Sequence, residues 1–119
     1  MKKFRKSLKF AVDGIHSTAR TERNFRVHIF MAIFTVMACI IFRVETIYFA
    51  FVIIAICAVL VTELINTAIE HIVDLLTSKR QHPLAKLAKD AAAGAVLVAS
   101  VFAIFIGILT VMSVIGRYI

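Results

Sequence analysis

The chain has 119 residues and a mean hydropathy of +0.95, and 61% of its residues are hydrophobic. So short a chain cannot bury that much apolar surface in one core, since soluble domains are about 45–50% apolar, and disordered chains are poor in large apolar residues. With fourteen basic residues against seven acidic ones and two cysteines, both inside apolar runs, we expect a small, basic, single-domain membrane protein rather than a soluble enzyme or a disulfide scaffold.

The N-terminal segment, residues 1–22, predicts an amphipathic helix. Phe4, Leu8, Val12 and Ile15 recur at helical spacing, and the charged residues of the segment's first half occupy other positions: Lys2, Lys3, Arg5, Lys6, Lys9 and Asp13. Such a helix lies on an anionic membrane surface with its apolar face down. The alternative is a basic tail that only fixes the orientation of the protein.

Three uncharged apolar runs follow, at residues 29–42, 46–62 and 91–115. A membrane-spanning helix needs about 17–25 such residues, so the second and third runs qualify directly. The first run qualifies if its helix begins near Asn24 and Arg26 extends to the interface. We therefore predict an all-α membrane protein with three transmembrane helices over 24–42, 46–77 and 84–115, the last two extending beyond the membrane.

The basic residues are distributed unevenly around these runs. Twelve of the fourteen precede the first run or lie between the second and third, and only Arg43 and Arg117 lie elsewhere. Cytoplasmic loops carry the excess of Lys and Arg, so we expect a cytoplasmic N-terminus and a C-terminus outside.

The most informative polar residues follow the second apolar run. At about 100° per residue, Glu63, Asn66, Thr67, Glu70 and Asp74 fall within one stripe about 100° wide. Three anions on one face repel one another unless positive charge comes from elsewhere. That charge is either a lysine or arginine of another segment, which makes the stripe structural, or a divalent metal ion.

Among metals, Mg²⁺ suits these residues because it prefers one or two carboxylates together with water and phosphate oxygens. Glu70, with Glu22 from the preceding segment, would meet that need. Zinc is not expected, since the cysteines lie in apolar runs and the four histidines have no ligand-pair spacing. Each histidine is expected to be structural or interfacial.

The segment before the third run carries lysines, whose positive charge is opposite to that of the acidic stripe. Pro83 suits the first turn of a helix, and Lys86, Lys89 and Asp90 share one face at i, i+3 and i+4. The small residues 91–95 allow close helix packing, which would bring these lysines near the acidic stripe. Anions for a metal and cations for phosphate at one membrane face suit a nucleotide that acts on a lipid head group.

Common nucleotide-binding and hydrolytic motifs are absent from the sequence. The four glycines are dispersed, so there is no Walker loop and no Gly-rich kinase loop. No Ser/His/Asp or Cys/His arrangement has supporting local sequence. Any phosphoryl transfer here does not use the common soluble nucleotide folds.

Residues Glu63–Asp74 read E-x-x-N-T-x-x-E-x-x-x-D, and His82–Leu97 contain a downstream Lys-Asp pair. In these segments the chain resembles the bacterial integral-membrane diacylglycerol kinase family. Residues Ala19–His28 are similar to the Gram-positive branch, whose members act as undecaprenol kinases. The resemblance extends from about Phe4 to Gly107.

The resemblance implies a homotrimer of three-helix protomers with an N-terminal surface helix and active sites between neighbouring protomers. It implies transfer of the γ-phosphate of Mg·ATP to a lipid hydroxyl in a bacterial cell membrane, with no nucleic acid partner. The branch implies undecaprenol as the acceptor, and diacylglycerol is the alternative, because no residue separates the two lipids by a physical argument.

The resemblance also implies roles for matching residues. Glu63 is the general base that takes the lipid hydroxyl proton, Glu22 and Glu70 are the metal ligands, and Asn66 and Asp90 complete the catalytic set. Phe10 stands where some relatives have tyrosine. The residues implied around the nucleotide and its metal are Lys3, Phe10, Glu22, Glu70, Lys89 and Asp90.

Two other classes of function compete with a kinase. A transporter places ionisable residues near the middle of the bilayer, whereas these apolar runs carry no charge through their middles. A membrane scaffold would use the acidic stripe only to pair with the lysines. Neither class would release ADP in response to a lipid alcohol.

Overall fold

The computed structural model describes residues 1–119 and consists of four α-helices. They are α1 (Lys2–Thr21), α2 (Arg23–Ile41), α3 (Thr46–Thr77) and α4 (Pro83–Tyr118). Helices α2, α3 and α4 are long and apolar enough to cross a membrane. The predicted all-helical fold with three candidate spans is thereby confirmed.

The breaks between helices follow from local sequence. Glu22 alone separates α1 from α2, in an extended conformation (φ −106°, ψ 111°), and its amide donates to Thr18 O at 2.8 Å. At the start of α4, His82 is the N-cap, and its Nδ1 accepts from the Leu84 amide at 3.1 Å. Pro83 occupies the first turn, as its sequence position predicts.

The turn between α3 and α4 has two consecutive left-handed residues. Ser78 has φ 53° and Lys79 has φ 64°, and neither is glycine. The Lys79 amide donates to Asp74 O at 3.1 Å, which satisfies one of the free carbonyls at the end of α3. This geometry reverses the chain so that α4 packs back along α3.

Helix α3 is the centre of the molecule. It packs along α4 and less extensively against α2, and no Cα of α2 lies within 8 Å of a Cα of α4. The largest buried cluster joins the three helices through Cys39, Val52, Ala55 and Ile106. The helices therefore form an open arrangement with a cleft between α2 and α4.

Two hydrogen bonds join the C-terminal end of α4 to the turn between α2 and α3. The Arg117 guanidinium donates to Phe42 O at 2.6 Å and to Arg43 O at 2.8 Å. These carbonyls follow the last turn of α2, where no helical donor is left for them. Arg43 and Arg117 thus lie at one end of the molecule.

Most apolar side chains are exposed, and only 14 of the 119 residues are buried. On α1, Phe4, Leu8, Val12 and Ile15 are all exposed, and Thr18 is the one buried residue. Apolar patches of this extent mark surfaces that contact lipid or another protein chain.

Candidate active site

Three polar residues of α3 are buried at the point where its apolar run ends: Glu63, Asn66 and Thr67. Burying a carboxyl, an amide and a hydroxyl costs free energy unless each finds a partner. The first three residues of the predicted stripe therefore face the interior of the molecule. This part of the stripe does not behave as an ordinary solvated helix face.

Glu63 is the most buried of the ionisable residues in the stripe. Its side chain is 5% exposed, and its Oε2 lies 3.9 Å from His28 Nε2 of α2, which is longer than a hydrogen bond. No lysine or arginine pairs with it. Glu22 and Glu70 are close enough to repel its negative charge, so the structure brings these three predicted carboxylates into one region.

One turn further along α3, Asn66 Nδ2 donates to Glu70 Oε1 at 3.2 Å. The other amide atom, Asn66 Oδ1, is buried without a hydrogen-bond partner, and so is Thr67 Oγ1. Buried polar atoms in folded proteins are nearly always paired. Two free polar atoms beside Glu70 leave hydrogen-bonding capacity for a bound molecule or another chain.

The last carboxylate of the stripe has a different environment. Asp74 Oδ1 accepts from Lys89 Nζ of α4 at 2.6 Å, and this hydrogen bond holds the pKa of Asp74 below its ordinary value. Within α4, Lys86 Nζ donates to Asp90 Oδ2 at 2.6 Å, which raises the pKa of Lys86. Both pairs lie outside the spanning runs. Structural pairing with a lysine therefore accounts for Asp74, but not for Glu63 or Glu70.

A polar cavity of about 570 Å³ lies at the turn between α3 and α4. Its charged lining has four lysine or arginine side chains and two aspartates, so it is positive overall and suits an anion such as phosphate. The charged residues are Asp74, Lys79, Arg80, Lys86, Lys89 and Asp90. Of the two lysines predicted to approach the acidic stripe, Lys89 contacts it at Asp74, whereas Lys86 pairs with Asp90 within α4.

The carboxylates fit a hard cation by the chemistry of their atoms. No three His, Cys, Asp or Glu side chains of this chain converge as a metal site, which is unlike a zinc centre. Mg²⁺ needs only one or two carboxylates, because water and phosphate oxygens supply its other ligands. Glu22 and Glu70 can supply that pair, and their role as ligands stays a prediction.

Two predicted residues stand apart from this region. Lys3 and Phe10 are exposed on α1, and no hydrogen bond or ion pair joins Lys3 to α3. His28 and Thr67 also belong to the region around Glu63, although the sequence assigned neither of them a functional role. Thr67 lies on the predicted stripe, whereas nothing in the sequence places His28 opposite Glu63, because that depends on how α2 packs on α3.

The chain is similar in sequence to known lipid kinases. Residues 9–111 match the sequence profile of the family described as prokaryotic diacylglycerol kinase. The chain is 46% identical over 109 residues to the undecaprenol kinase of Bacillus subtilis (strain 168), covering 92% of this chain and 88% of that protein. It is 33% identical over 105 residues to the diacylglycerol kinase of Helicobacter pylori (strain J99), covering 88% of this chain and 81% of that protein.

A further relative is longer than this chain. The diacylglycerol kinase of Synechocystis sp. is 41% identical over 101 residues, which cover 85% of this chain. The match spans 58% of the length of the Synechocystis protein.

Proposed function

Because the chain belongs to the prokaryotic diacylglycerol kinase family, we propose that it is a membrane lipid kinase that transfers the γ-phosphate of ATP to the hydroxyl of undecaprenol. The similarity to the Bacillus subtilis undecaprenol kinase over most of both chains supports this acceptor. Diacylglycerol is the second candidate acceptor, since other relatives are named diacylglycerol kinases.

The observation that carries the proposal is the buried carboxylate of Glu63, which has no lysine or arginine beside it. It lies where the apolar run of α3 ends, which would set it at the depth where a lipid alcohol holds its hydroxyl. In the proposed reaction Glu63 accepts the hydroxyl proton while the alcohol oxygen bonds to the γ-phosphorus. The bond from that phosphorus to the β-phosphate oxygen breaks, and ADP leaves.

The nucleotide would bind on the cytoplasmic side of Glu63. Lys89 lies at the polar cavity, where it would contact the phosphates, and Asp90 beside it would serve the catalytic step. The exposed Lys3 and Phe10 of α1 would contact the nucleotide from the membrane surface. Glu22 and Glu70 would hold Mg²⁺. When bound, this ion neutralises phosphate charge. Positioning and charge neutralisation are most of what phosphoryl transfer requires of a protein.

Asn66 has two roles in this arrangement. Its Nδ2 hydrogen bond fixes one carboxylate oxygen of Glu70, and its free Oδ1 can accept from a bound molecule. Orienting a ligand side chain through a hydrogen bond is the usual task of such a neighbour. We therefore expect Asn66 to influence the metal-dependent step.

The exposed apolar surface and the uneven distribution of basic residues support a proposed arrangement in the membrane. We propose that α1 is an amphipathic helix on the cytoplasmic leaflet, because its exposed Phe4, Leu8, Val12 and Ile15 need an apolar environment. The N-terminus would be cytoplasmic and the C-terminus outside. A homotrimer would cover part of the remaining apolar surface and the unpaired polar atoms of α3.

The experiment that tests the proposal uses purified protein in mixed micelles with Mg·ATP. Undecaprenol and diacylglycerol are presented separately, and both ADP release and phosphorylated lipid are measured. We expect both products to increase with undecaprenol and to increase less with diacylglycerol. If the protein releases no ADP with either lipid, the proposed kinase activity is wrong. If it phosphorylates diacylglycerol faster than undecaprenol, diacylglycerol is the acceptor.

A further inference from the structure

Asp74 lines the polar cavity but has no role in the proposed reaction. Its carboxylate and the Lys89 ammonium face each other there, joined by the 2.6 Å hydrogen bond between α3 and α4. A carboxylate at a phosphate site repels the ligand that the site binds, because both are anions. The place of Asp74 in this cavity therefore needs an explanation other than phosphate binding.

Lys89 is the one cation of the cavity that another helix holds. Lys86 bonds Asp90 within α4, and its side chain is 79% exposed, against 40% for Lys89. Lys79 and Arg80 form no ion pair. An exposed pair within one helix contributes little, so only Lys89 has its position fixed by the packing of α3 on α4.

The carboxylate that holds Lys89 is attached to a well-defined part of the chain. Asp74 lies in the last turn of α3, and its carbonyl oxygen accepts from the amides of Ser78 and Lys79 where the helix ends. A side chain supported by a helix is placed more precisely than one on a loop. Asp74 can therefore fix the position of a partner.

The hydrogen bond to Asp74 leaves Lys89 able to bind a ligand. A lysine ammonium has three N–H donors, of which Asp74 accepts one and no other residue accepts any. A lysine side chain has a long flexible stem, and its freedom is lost when the ammonium binds phosphate. The bond to Asp74 removes much of that freedom before a nucleotide arrives, and the remaining donors stay at the cavity.

We propose that Asp74 is a positioning residue, which holds the Lys89 ammonium in place for the phosphoryl group during its transfer. The inference rests on the proposed kinase function and deepens it, since Asp74 acts through Lys89 and does not itself contact phosphate. Negative charge develops on the leaving oxygen as the bond from the γ-phosphorus to ADP breaks. A cation that is already in place stabilises this charge without rearranging.

Two effects of Asp74 act in opposite directions. Its negative charge repels the phosphates of bound ATP, whereas its hold on Lys89 stabilises the transition state. Loss of the charge should therefore lower kcat without raising the KM for ATP. A role in binding alone predicts the reverse, a higher KM for ATP at unchanged kcat.

The first test replaces Asp74 with asparagine, which has the same shape and an uncharged acceptor. We expect Asp74→Asn to lower kcat about tenfold, the equivalent of about 1.4 kcal/mol, with a KM for ATP equal to or below that of the wild type. Asp74→Glu restores the charge and should recover part of kcat. Glu45→Gln, at the opposite end of α3, is the control and should match the wild type.

All rates are measured below the unfolding temperature of the least stable variant. A wild-type kcat in Asp74→Asn would overturn the proposal. So would a higher KM for ATP at unchanged kcat.

A double-mutant cycle tests whether Asp74 acts through Lys89. Lys89→Met removes the ammonium, and its low rate is followed with radiolabelled ATP. If Asp74 only positions Lys89, the variant that carries both changes is no slower than Lys89→Met. Independent effects add, so a further loss of rate in the double variant would overturn the proposal.

Competitive acetylation of lysines, measured by mass spectrometry, follows Lys89 in the wild-type protein without lipid or turnover. Because Asp74 holds it, Lys89 should react more slowly than Lys6, which is exposed on α1 and forms no ion pair. Mg·ATP should slow the reaction of Lys89 further, because phosphate takes the donors that Asp74 leaves free. Equal labelling of Lys89 with and without Mg·ATP would overturn the proposal.

The labelling also separates this inference from the kinase activity. If Mg·ATP protects Lys89 in a protein that phosphorylates no lipid alcohol, the proposed kinase activity is wrong, but the placement of Lys89 at the phosphates is supported. If lipid is phosphorylated and Lys89 is not protected, the kinase stands and the role of Asp74 is overturned.

Discussion

Asp74 of α3 and Lys89 of α4 are joined by a 2.6 Å hydrogen bond across the turn that connects their helices. This pair divides the acidic stripe into two parts. Asp74 has a cation of its own, whereas Glu63 and Glu70 have none. The two carboxylates without a cation are the ones to which the proposed reaction assigns chemistry.

The first prediction concerns Glu63. We expect Glu63→Gln to lower kcat about a hundredfold or more, because a positioned general base contributes about 10²–10⁴ in rate. ATP binding should survive, since Glu63 is assigned no contact with the nucleotide. Steady-state kinetics with undecaprenol and equilibrium binding of ATP measure the two effects.

The control for this prediction is Glu45→Gln. It makes the same change on a carboxyl at the opposite end of α3, where the Glu45 side chain makes no capping hydrogen bond. It should turn over as the wild type does. A near-normal rate for Glu63→Gln would show that Glu63 is not the general base.

The second prediction concerns Asn66. Asn66→Ala removes the hydrogen bond to Glu70 Oε1, so Glu70 loses its fixed orientation. We expect the half-activating Mg²⁺ concentration to rise about tenfold, as is usual when the neighbour of a metal ligand is lost. A magnesium titration at saturating ATP measures it, and Asn24→Ala on the exposed start of α2 is the control. An equal response of both variants to Mg²⁺ would show that Asn66 does not act through Glu70.

The third prediction concerns pH and the pair of Asp74 with Lys89. The pKa of Asp74 is lowered in the folded protein, so its contribution to stability is present above the unfolded pKa, about 3.9. That contribution is lost as the pH falls through the lower folded value. We expect Asp74→Asn to unfold at a lower temperature than the wild type at neutral pH, with the difference shrinking in strong acid.

Thermal unfolding followed by circular dichroism across this pH range tests the third prediction. Asp13→Asn changes an exposed carboxyl of α1 that forms no ion pair, so it should follow the wild type throughout. A difference between Asp74→Asn and the wild type that does not depend on pH would assign the effect to something other than this ion pair.

The fourth prediction concerns Arg117. Its guanidinium bonds two carbonyls, Phe42 O and Arg43 O, which no other donor reaches. Arg117→Ala should lower the unfolding temperature by several degrees, because both carbonyls lose a charged donor. Arg117→Lys should recover only part of the loss, since an ammonium does not reproduce the planar fork. Equal stability of the alanine and lysine variants would contradict this account.

The helices could be predicted from the sequence because their signals are local. Charged residues end the apolar runs, and Pro83 marks the start of α4. α2 begins at Arg23, one residue before the predicted Asn24. The shared face of Lys86 and Asp90 was also predicted from i, i+4 spacing and forms an ion pair.

Relations between helices could not be predicted in the same way. The distance from His28 to Glu63 depends on how α2 packs on α3, and periodicity within one helix contains no such information. The cleft between α2 and α4 was not predicted for the same reason. An apolar helix face has the same sequence pattern whether it lines a groove, packs on a helix or contacts lipid.

The turn between α3 and α4 has an energetic consequence. A left-handed conformation costs a residue with a Cβ roughly 1–2 kcal/mol, and the turn contains two such residues in succession, Ser78 and Lys79. Glycine at either position would relieve that backbone strain. At position 79 it would also remove one of the four basic side chains around the polar cavity. At Lys79, therefore, the turn has a conformation that costs folding free energy and carries a positive charge where phosphate is proposed to bind.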